Sequence, residues 1–179
     1  MDKTLEERIK ENHIVFITSD LDAESASEII FNLMQWSNES EKTEINIYLS
    51  SVTNNFIDSI AVYDVLCTIK NPINVFCIGL VGGYATLFIA AASKGRRFAL
   101  NHTVIRFEQP YGAIRNISNQ QTEVEITARE TSKQRQVFEE VLSEKFKMPT
   151  EQIHDLVENN QEFPAKMANE AGFIDEILE

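Results

Sequence analysis

The stretch Ile78-Gly79-Leu80-Val81-Gly82-Gly83-Tyr84-Ala85-Thr86-Leu87 constrains this chain more than any other. It joins a short β-branched apolar run, Ile73 to Ile78, to an apolar run of small residues, Tyr84 to Ala92. The first reads as a buried strand and the second as a buried helix. Gly79, Gly82 and Gly83 let the chain turn tightly between them, by positive φ or by close backbone approach. A strand entering a helix in this way aims the helix's first N–H groups back at the corner. Two readings follow: backbone donors hold an anion or oxyanion there, or the glycines simply allow close packing in an α/β fold. In many hydrolases a serine or cysteine occupies such a corner. Here it reads Gly82-Gly83-Tyr84, without a nucleophile.

Strand–helix alternation surrounds this corner. His13 to Thr18 reads as a first strand and Asp20 to Glu24 as a turn. Ser25 with Glu28 forms a candidate capping box, followed by a helix face of Ala26, Ile29, Ile30, Leu33 and Met34. Ile45 to Leu49 is a second strand, and Ser50 to Asn55 a polar turn. Phe56 to Ile69 is a helix apolar nearly all round, hence expected to be deeply buried, and Asn71-Pro72 ends it. Arg97 to Leu100 and Val104 to Phe107 add two short strands across an Asn101-His102 turn. Three consecutive strand–helix units predict parallel pairing and an α/β fold. The length of 179 residues fits one domain spanning 1–179.

Ser118 to Lys147 departs from that rhythm: it is a helical pattern without proline or glycine. Its candidate core positions are Val124, Ala128, Thr131, Arg135, Phe138 and Leu142, only half of them apolar. About 28 helical residues span ~42 Å, more than the ~38 Å width of a compact domain of roughly this size. The helix is therefore expected to project, either toward a partner chain or as a solvated helix along the domain edge. Beyond Pro149, Thr150 to Val157 and Phe163 to Ala171 read as two short helices, with Gly172 as a cap.

Charge and composition narrow the function. A net charge of −12 argues against nucleic acid and against an anionic membrane surface. Lys94-Gly95-Arg96-Arg97 is the densest basic group and reads as a helix C-terminal cap. Cys67 and Cys77 read as buried free thiols. His13, His102 and His154 are scattered, with no metal-ligand spacing, and no cofactor is expected. No apolar run is long enough to span a membrane, and the acidic first residues do not read as a signal peptide, so a cytoplasmic protein is expected.

Taken in order, several segments resemble the proteolytic subunit of the Clp protease (ClpP), a branch of the crotonase-like superfamily. They are Ala61-Val62-Tyr63-Asp64, Cys77-Ile78-Gly79, Lys94 to Leu100, Gln109-Pro110-Tyr111-Gly112, Ala128-Arg129-Glu130 and Glu170 to Asp175. The likeness runs from about Asn12 to Leu178. It implies a serine peptidase fold whose subunits form heptameric rings stacked as a barrel, docked by an ATP-dependent unfoldase. It also makes the long helix, about 118–147, the handle that joins the rings. Gln109, Pro110, Tyr111, Gly112, Glu123, Glu125, Arg129 and Arg135 then become candidate oligomer contacts.

The departures from the family pattern fall on its chemistry. Gly83 stands at the serine position, Glu108 at the histidine position and Leu156 at the aspartate position, with Val157 in an alternative register and Asp155 adjacent. Thr53 and Asn54 replace both glycines of the loop that supplies oxyanion amides. Without a hydroxyl or thiol at the corner no acyl-enzyme forms, and without an imidazole nothing is poised to activate a substitute. Fewer residues precede the first strand than in the family, and Asn46 replaces a docking tyrosine while Tyr48 is kept. The expected role is a non-catalytic subunit assembling with itself or with an active ClpP paralogue. The alternatives are a residual Clp-type endopeptidase, or a crotonase-like acyl-thioester enzyme using Glu108.

Overall fold

A computed structural model of the chain describes residues 3–109 and 121–179. Two sheets organise it. Ile14–Ile17 (β1), Ile45–Leu49 (β2), Ile73–Cys77 (β4), Arg97–Leu100 (β6) and Glu176–Leu178 (β9) form a five-stranded sheet in the order β1-β2-β4-β6-β9. All its pairs are parallel. Val52–Thr53 (β3), Leu80–Gly83 (β5), Val104–Arg106 (β7) and Glu162–Pro164 (β8) form a second sheet in the order β3-β5-β7-β8, parallel except for the β7–β8 pair.

Side-chain alternation along the first sheet separates two faces. Ile17, Leu49, Cys77 and Ala99 share one register row and are buried. The neighbouring row, Phe16, Tyr48, Phe76 and Phe98, points the other way. Its rings stack in series at centroid distances of 5.2, 4.9 and 5.0 Å. Phe16, at the sheet edge, is exposed, and the other three are half-buried.

Helices cover the inner face. Leu5–Glu11 (α1) buries no residue and is held by a Thr4–Glu7 capping box. Ala23–Glu39 (α2) packs beside Phe56–Thr68 (α3). Thr86–Ala91 (α4) is buried from Thr86 through Ala90, as its small apolar residues predict. Gln121–Phe146 (α5), Thr150–Glu158 (α6) and Ala165–Glu170 (α7) complete the chain. A single hydrophobic cluster runs from Val15 to Ile174 and includes Phe138 and Leu142 of α5.

Several readings of the sequence require correction. The box that starts α2 is Asp22 with Ser25, whose side chains each accept the other's backbone N–H; Ser25 with Glu28 is not the cap. The acidic side chain one turn earlier wins because it meets the first free N–H groups. The buried stripe of α2 is Ala26, Ile29, Leu33 and Trp36, and Met34 is exposed. Trp36 stays on the stripe by packing edge-on against His13, at 5.1 Å. On α3, Ser59, Val62, Tyr63 and Leu66 are buried while Ile57 is exposed, so the helix shows one face to solvent. Cys67 lies on that face and is exposed, although Cys77 is buried as expected. Burial pushes the Cys77 thiol up to about 12.

The basic group after α4 is also not a cap for it. Arg97 Nε donates to Asp175 Oδ2 at 2.9 Å, its Nη2 to Asp175 Oδ1, and its Nη1 to the Gly172 carbonyl at 2.7 Å. Arg96 Nη1 reaches Glu44 at 2.9 Å and the Asn74 side-chain oxygen at 2.8 Å. These two arginines tie sequence-distant segments to the first sheet.

Only the C-terminal part of the stripe expected on the long helix is core: Phe138 and Leu142 are buried and Thr131 and Arg135 half-buried, but Val124 and Ala128, expected in the core, are exposed. The core reaches the helix where Phe138 packs edge-on against Tyr84, at 5.1 Å. Its 26 residues span ~39 Å at 1.5 Å per residue. Start positions 118–120 lie outside the described residues. Among the described residues no helix is long and apolar enough to cross a membrane.

Candidate functional site

Strand register builds the corner. β5 ends in Gly82-Gly83 and lies between β3 and β7, pairing Gly82 with Val52, Gly83 with Thr53, and Gly82 with Arg106. The sequence reads as a bare turn here because a four-residue strand containing two glycines has little propensity of its own. Its two partners make it a strand. Two residues past Arg106 the chain reaches Glu108, so Gly83, Thr53 and Glu108 meet at the ends of three adjacent strands.

Gly83 has φ +57, and a β-carbon there would sit 2.5 Å from the Thr53 carbonyl oxygen. That oxygen is backbone and cannot swing aside. A β-carbon at Gly82 would meet Glu108 Oε1 at 2.9 Å. Gly83 thus excludes every side chain, serine included, without a backbone shift, whereas at Gly82 the Glu108 carboxylate would have to give way. Gly83 is required by close approach, the second of the two readings of this corner.

The donors that hold an oxyanion elsewhere are already engaged here. The amide after a corner nucleophile is a usual oxyanion donor; the equivalent Tyr84 N–H donates to the Thr53 carbonyl at 2.9 Å. On the facing loop, Asn54 N–H donates to Asp20 Oδ1 at 3.1 Å. Thr53 Oγ1 donates to the same oxygen at 2.6 Å. Asp20 therefore occupies the place of a bound anion against this loop. The sequence reading counted Asp20 only as part of an acidic turn. The signal available for it was the loss of both loop glycines, which left a hydroxyl and an amide for a carboxylate to meet.

Nearby hydroxyls are committed as well. Thr86 Oγ1 is buried and donates to the Gly83 carbonyl at 2.8 Å, and Ser51 Oγ donates to the Ser19 carbonyl at 2.6 Å. Ser93, just past α4, accepts the Ile73 N–H at 3.0 Å. Tyr84 is buried and its phenol is pushed up to about 12 by burial.

Glu108 is 3% exposed. Its Oε2 lies 3.5 Å from Arg106 Nη1, and its Oε1 has no hydrogen-bond partner. Arg106 is shared with Glu162, whose Oε1 lies 2.6 Å from Nη2. Arg115, the other cation the sequence offers, lies outside the described residues. Leu156 is half-buried against the hydrophobic cluster and Val157 is fully buried, so both registers of the third position give a core residue. Asp155 is exposed. Among the described residues no group of three His, Cys, Asp or Glu side chains is placed to hold a metal.

The candidate contact residues divide. Arg135 is engaged within its own chain, at 2.6 Å from Glu139 Oε1 and 2.7 Å from Glu158 Oε2. Gln109 Nε2 donates to the same Glu158 oxygen at 2.6 Å. Arg129 and Glu125 are on exposed turns of α5. Pro110, Tyr111, Gly112 and the side chain of Glu123 lie outside the described residues.

A parallel α/β sheet, a glycine corner at the strand ends and a long helix leaving the body agree with the resemblance read from the sequence. The chain matches the Clp protease family over residues 2–179 and belongs to that family.

Proposed function

We propose that this chain is a non-catalytic, barrel-forming subunit of a Clp-type proteolytic complex, assembling with itself or with an active relative. The observation that carries the reading is the filled corner. Gly83 has no room for a side chain, and Asn54 and Tyr84 direct their amides to Asp20 and Thr53. Acyl transfer needs a nucleophile, a base and free oxyanion donors in one place. Gly83 and Leu156 offer none of these, and Glu108 is buried beside Arg106. Assembly is supported by α5, a 26-residue helix on which Val124 and Ile126 are left exposed. In this reading the subunit alters the composition or the partner choice of the barrel, with rings of the family's kind and an unfoldase as further partners.

Native mass of the purified protein, alone and mixed with an active family member, tests the assembly. Rings or mixed particles support it. Small species in both samples overturn it.

One observation favours a second reading. Glu108 Oε1 is buried, unpartnered and beside the two glycines, the composition of a glutamate-based acyl-thioester site. Turnover of an acyl thioester that disappears in Glu108→Gln would establish that reading, and its absence in the parent protein would end it.

A further inference from the structure

A cavity lies where the C-terminal ends of α4, α5 and α7 converge. It has a volume of about 360 Å³, within the range of small-molecule sites. Ala90, Ala91, Ala92 and the Phe146 ring supply its apolar walls. Lys94, Arg97, Lys145 and Lys147 bring four cations to it, and among the described residues no carboxylate lines it. In a chain of net charge −12 this is a concentration of the opposite sign.

Cations near helix C-termini ordinarily offset the helix dipole by meeting the last carbonyls. Arg97 makes a contact of this kind just beyond α7, to the Gly172 carbonyl, and is otherwise neutralised by Asp175. The lysines do not. The Lys94 and Lys147 ammonium groups have no ion pair or hydrogen bond among the described residues, and Lys145 only overlies the Tyr63 ring at 5.8 Å. Backbone conformation adds a second observation. Gly95, Lys147 and Gly172 lie in or next to this cavity with φ of +77, +56 and +81. Glycine is the ordinary residue for that conformation, and two of the three positions have it. The third places a lysine at the cavity instead.

We propose that this cavity binds a small multivalent oxyanion, a phosphate or carboxylate compound, with its charge between Lys94 and Lys147 and its body against Ala91 and Phe146. Like charges around one cavity repel one another until a counter-charge enters. A multivalent anion supplies that charge and gains charge-assisted hydrogen bonds from the ammonium groups. The site is separate from the glycine corner, so it serves to regulate or stabilise the subunit rather than to perform chemistry.

Isothermal titration calorimetry on the purified full-length protein tests this, with pyrophosphate and citrate as probes at constant ionic strength. Saturable binding of at least one probe is expected, weakened about tenfold or more by the double substitution Lys94→Gln/Lys147→Gln. Preference for pyrophosphate assigns the site to phosphate compounds, and preference for citrate to polycarboxylates. Lys70→Gln, which removes an exposed lysine paired with Glu41 at 2.9 Å, is expected to leave binding unchanged. Three results overturn the proposal: no saturable heat with either probe, equal affinity in the double variant, or equal weakening by Lys70→Gln.

Discussion

The five-stranded sheet and the glycine corner lie within one core, yet their residues follow opposite rules. In the sheet, identity is held by many partners at once. Phe76 stacks between Tyr48 and Phe98, and the Arg97 guanidinium makes three hydrogen bonds that close the C-terminal segment onto β6. In the corner the fold needs only the absence of a side chain at Gly83. On the proposed reading, the family framework persists without its reactive groups because nothing in the core rests on them. What the corner does retain is satisfaction of its polar groups: Asp20 and the Thr53 carbonyl take up the amides that a substrate would otherwise meet.

The sharpest break in that contrast would be a corner that accepts its nucleophile back. Gly83→Ser meets a fixed carbonyl oxygen at 2.5 Å and a left-handed φ, and we expect it to destabilise the fold by about 2–5 kcal/mol. Urea denaturation reads the loss. Adding Glu108→His is expected to give no peptidase activity, since the oxyanion donors stay occupied.

Arg97→Ala should rank next. Its guanidinium and the Asp175 carboxylate are only 18% and 21% exposed, so removing one partner strands the other in a shielded site, at about 2–4 kcal/mol. The same pair sets a pH dependence. Burial pushes the Asp175 carboxyl up, but hydrogen bonds and charge from Arg97 outweigh it and hold the group below its ordinary value of 3.8. A carboxyl lowered in the folded state adds stability that is present above the ordinary value and lost as pH falls through the lowered one. Acid unfolding below about pH 4 should therefore lose part of its steepness in Arg97→Ala, measured as the pH dependence of the urea midpoint.

Phe76→Ala removes the middle of the aromatic row and should cost about 2 kcal/mol. The same change at exposed Phe16 is expected to cost less than half as much. Equal costs would show that the row is not stabilised by its stacked interior. Asp20→Ala frees Asn54 N–H and the Thr53 hydroxyl at a partly exposed loop, for about 1 kcal/mol. Faster hydrogen exchange at Asn54, without change in β2 or β4, would locate the effect. The smallest change is Glu108→Gln, which keeps the shape and gives up a long 3.5 Å ion pair. Thermal denaturation should move by the equivalent of less than about 1 kcal/mol.

Local pattern made much of this architecture legible. Ile45–Leu49 and Arg97–Leu100 stand at the bounds their alternation predicts, and the parallel order follows from strand–helix repetition. The α2 cap failed locally, by one turn, but three other failures share one cause: they depend on partners distant in sequence. β5 is a strand because β3 and β7 flank it, Trp36 replaces Met34 in the core because His13 is there, and Arg97 binds the segment beyond Gly172 rather than the end of α4. At the corner the proposed absence of a triad rests on the identities of Gly83, Glu108 and Leu156, which the sequence carries. Closure by Asp20 and by the Thr53 carbonyl required the register that brings β3 alongside β5.

The central claim is that this corner performs no acyl transfer. It is tested most directly by treating the purified, assembled protein with a fluorophosphonate, beside an active serine peptidase, and measuring intact mass. The mass of this chain is expected to stay unchanged while that of the active enzyme rises by one adduct. A covalent adduct on any residue of this chain, lost when that residue is substituted, would contradict the claim.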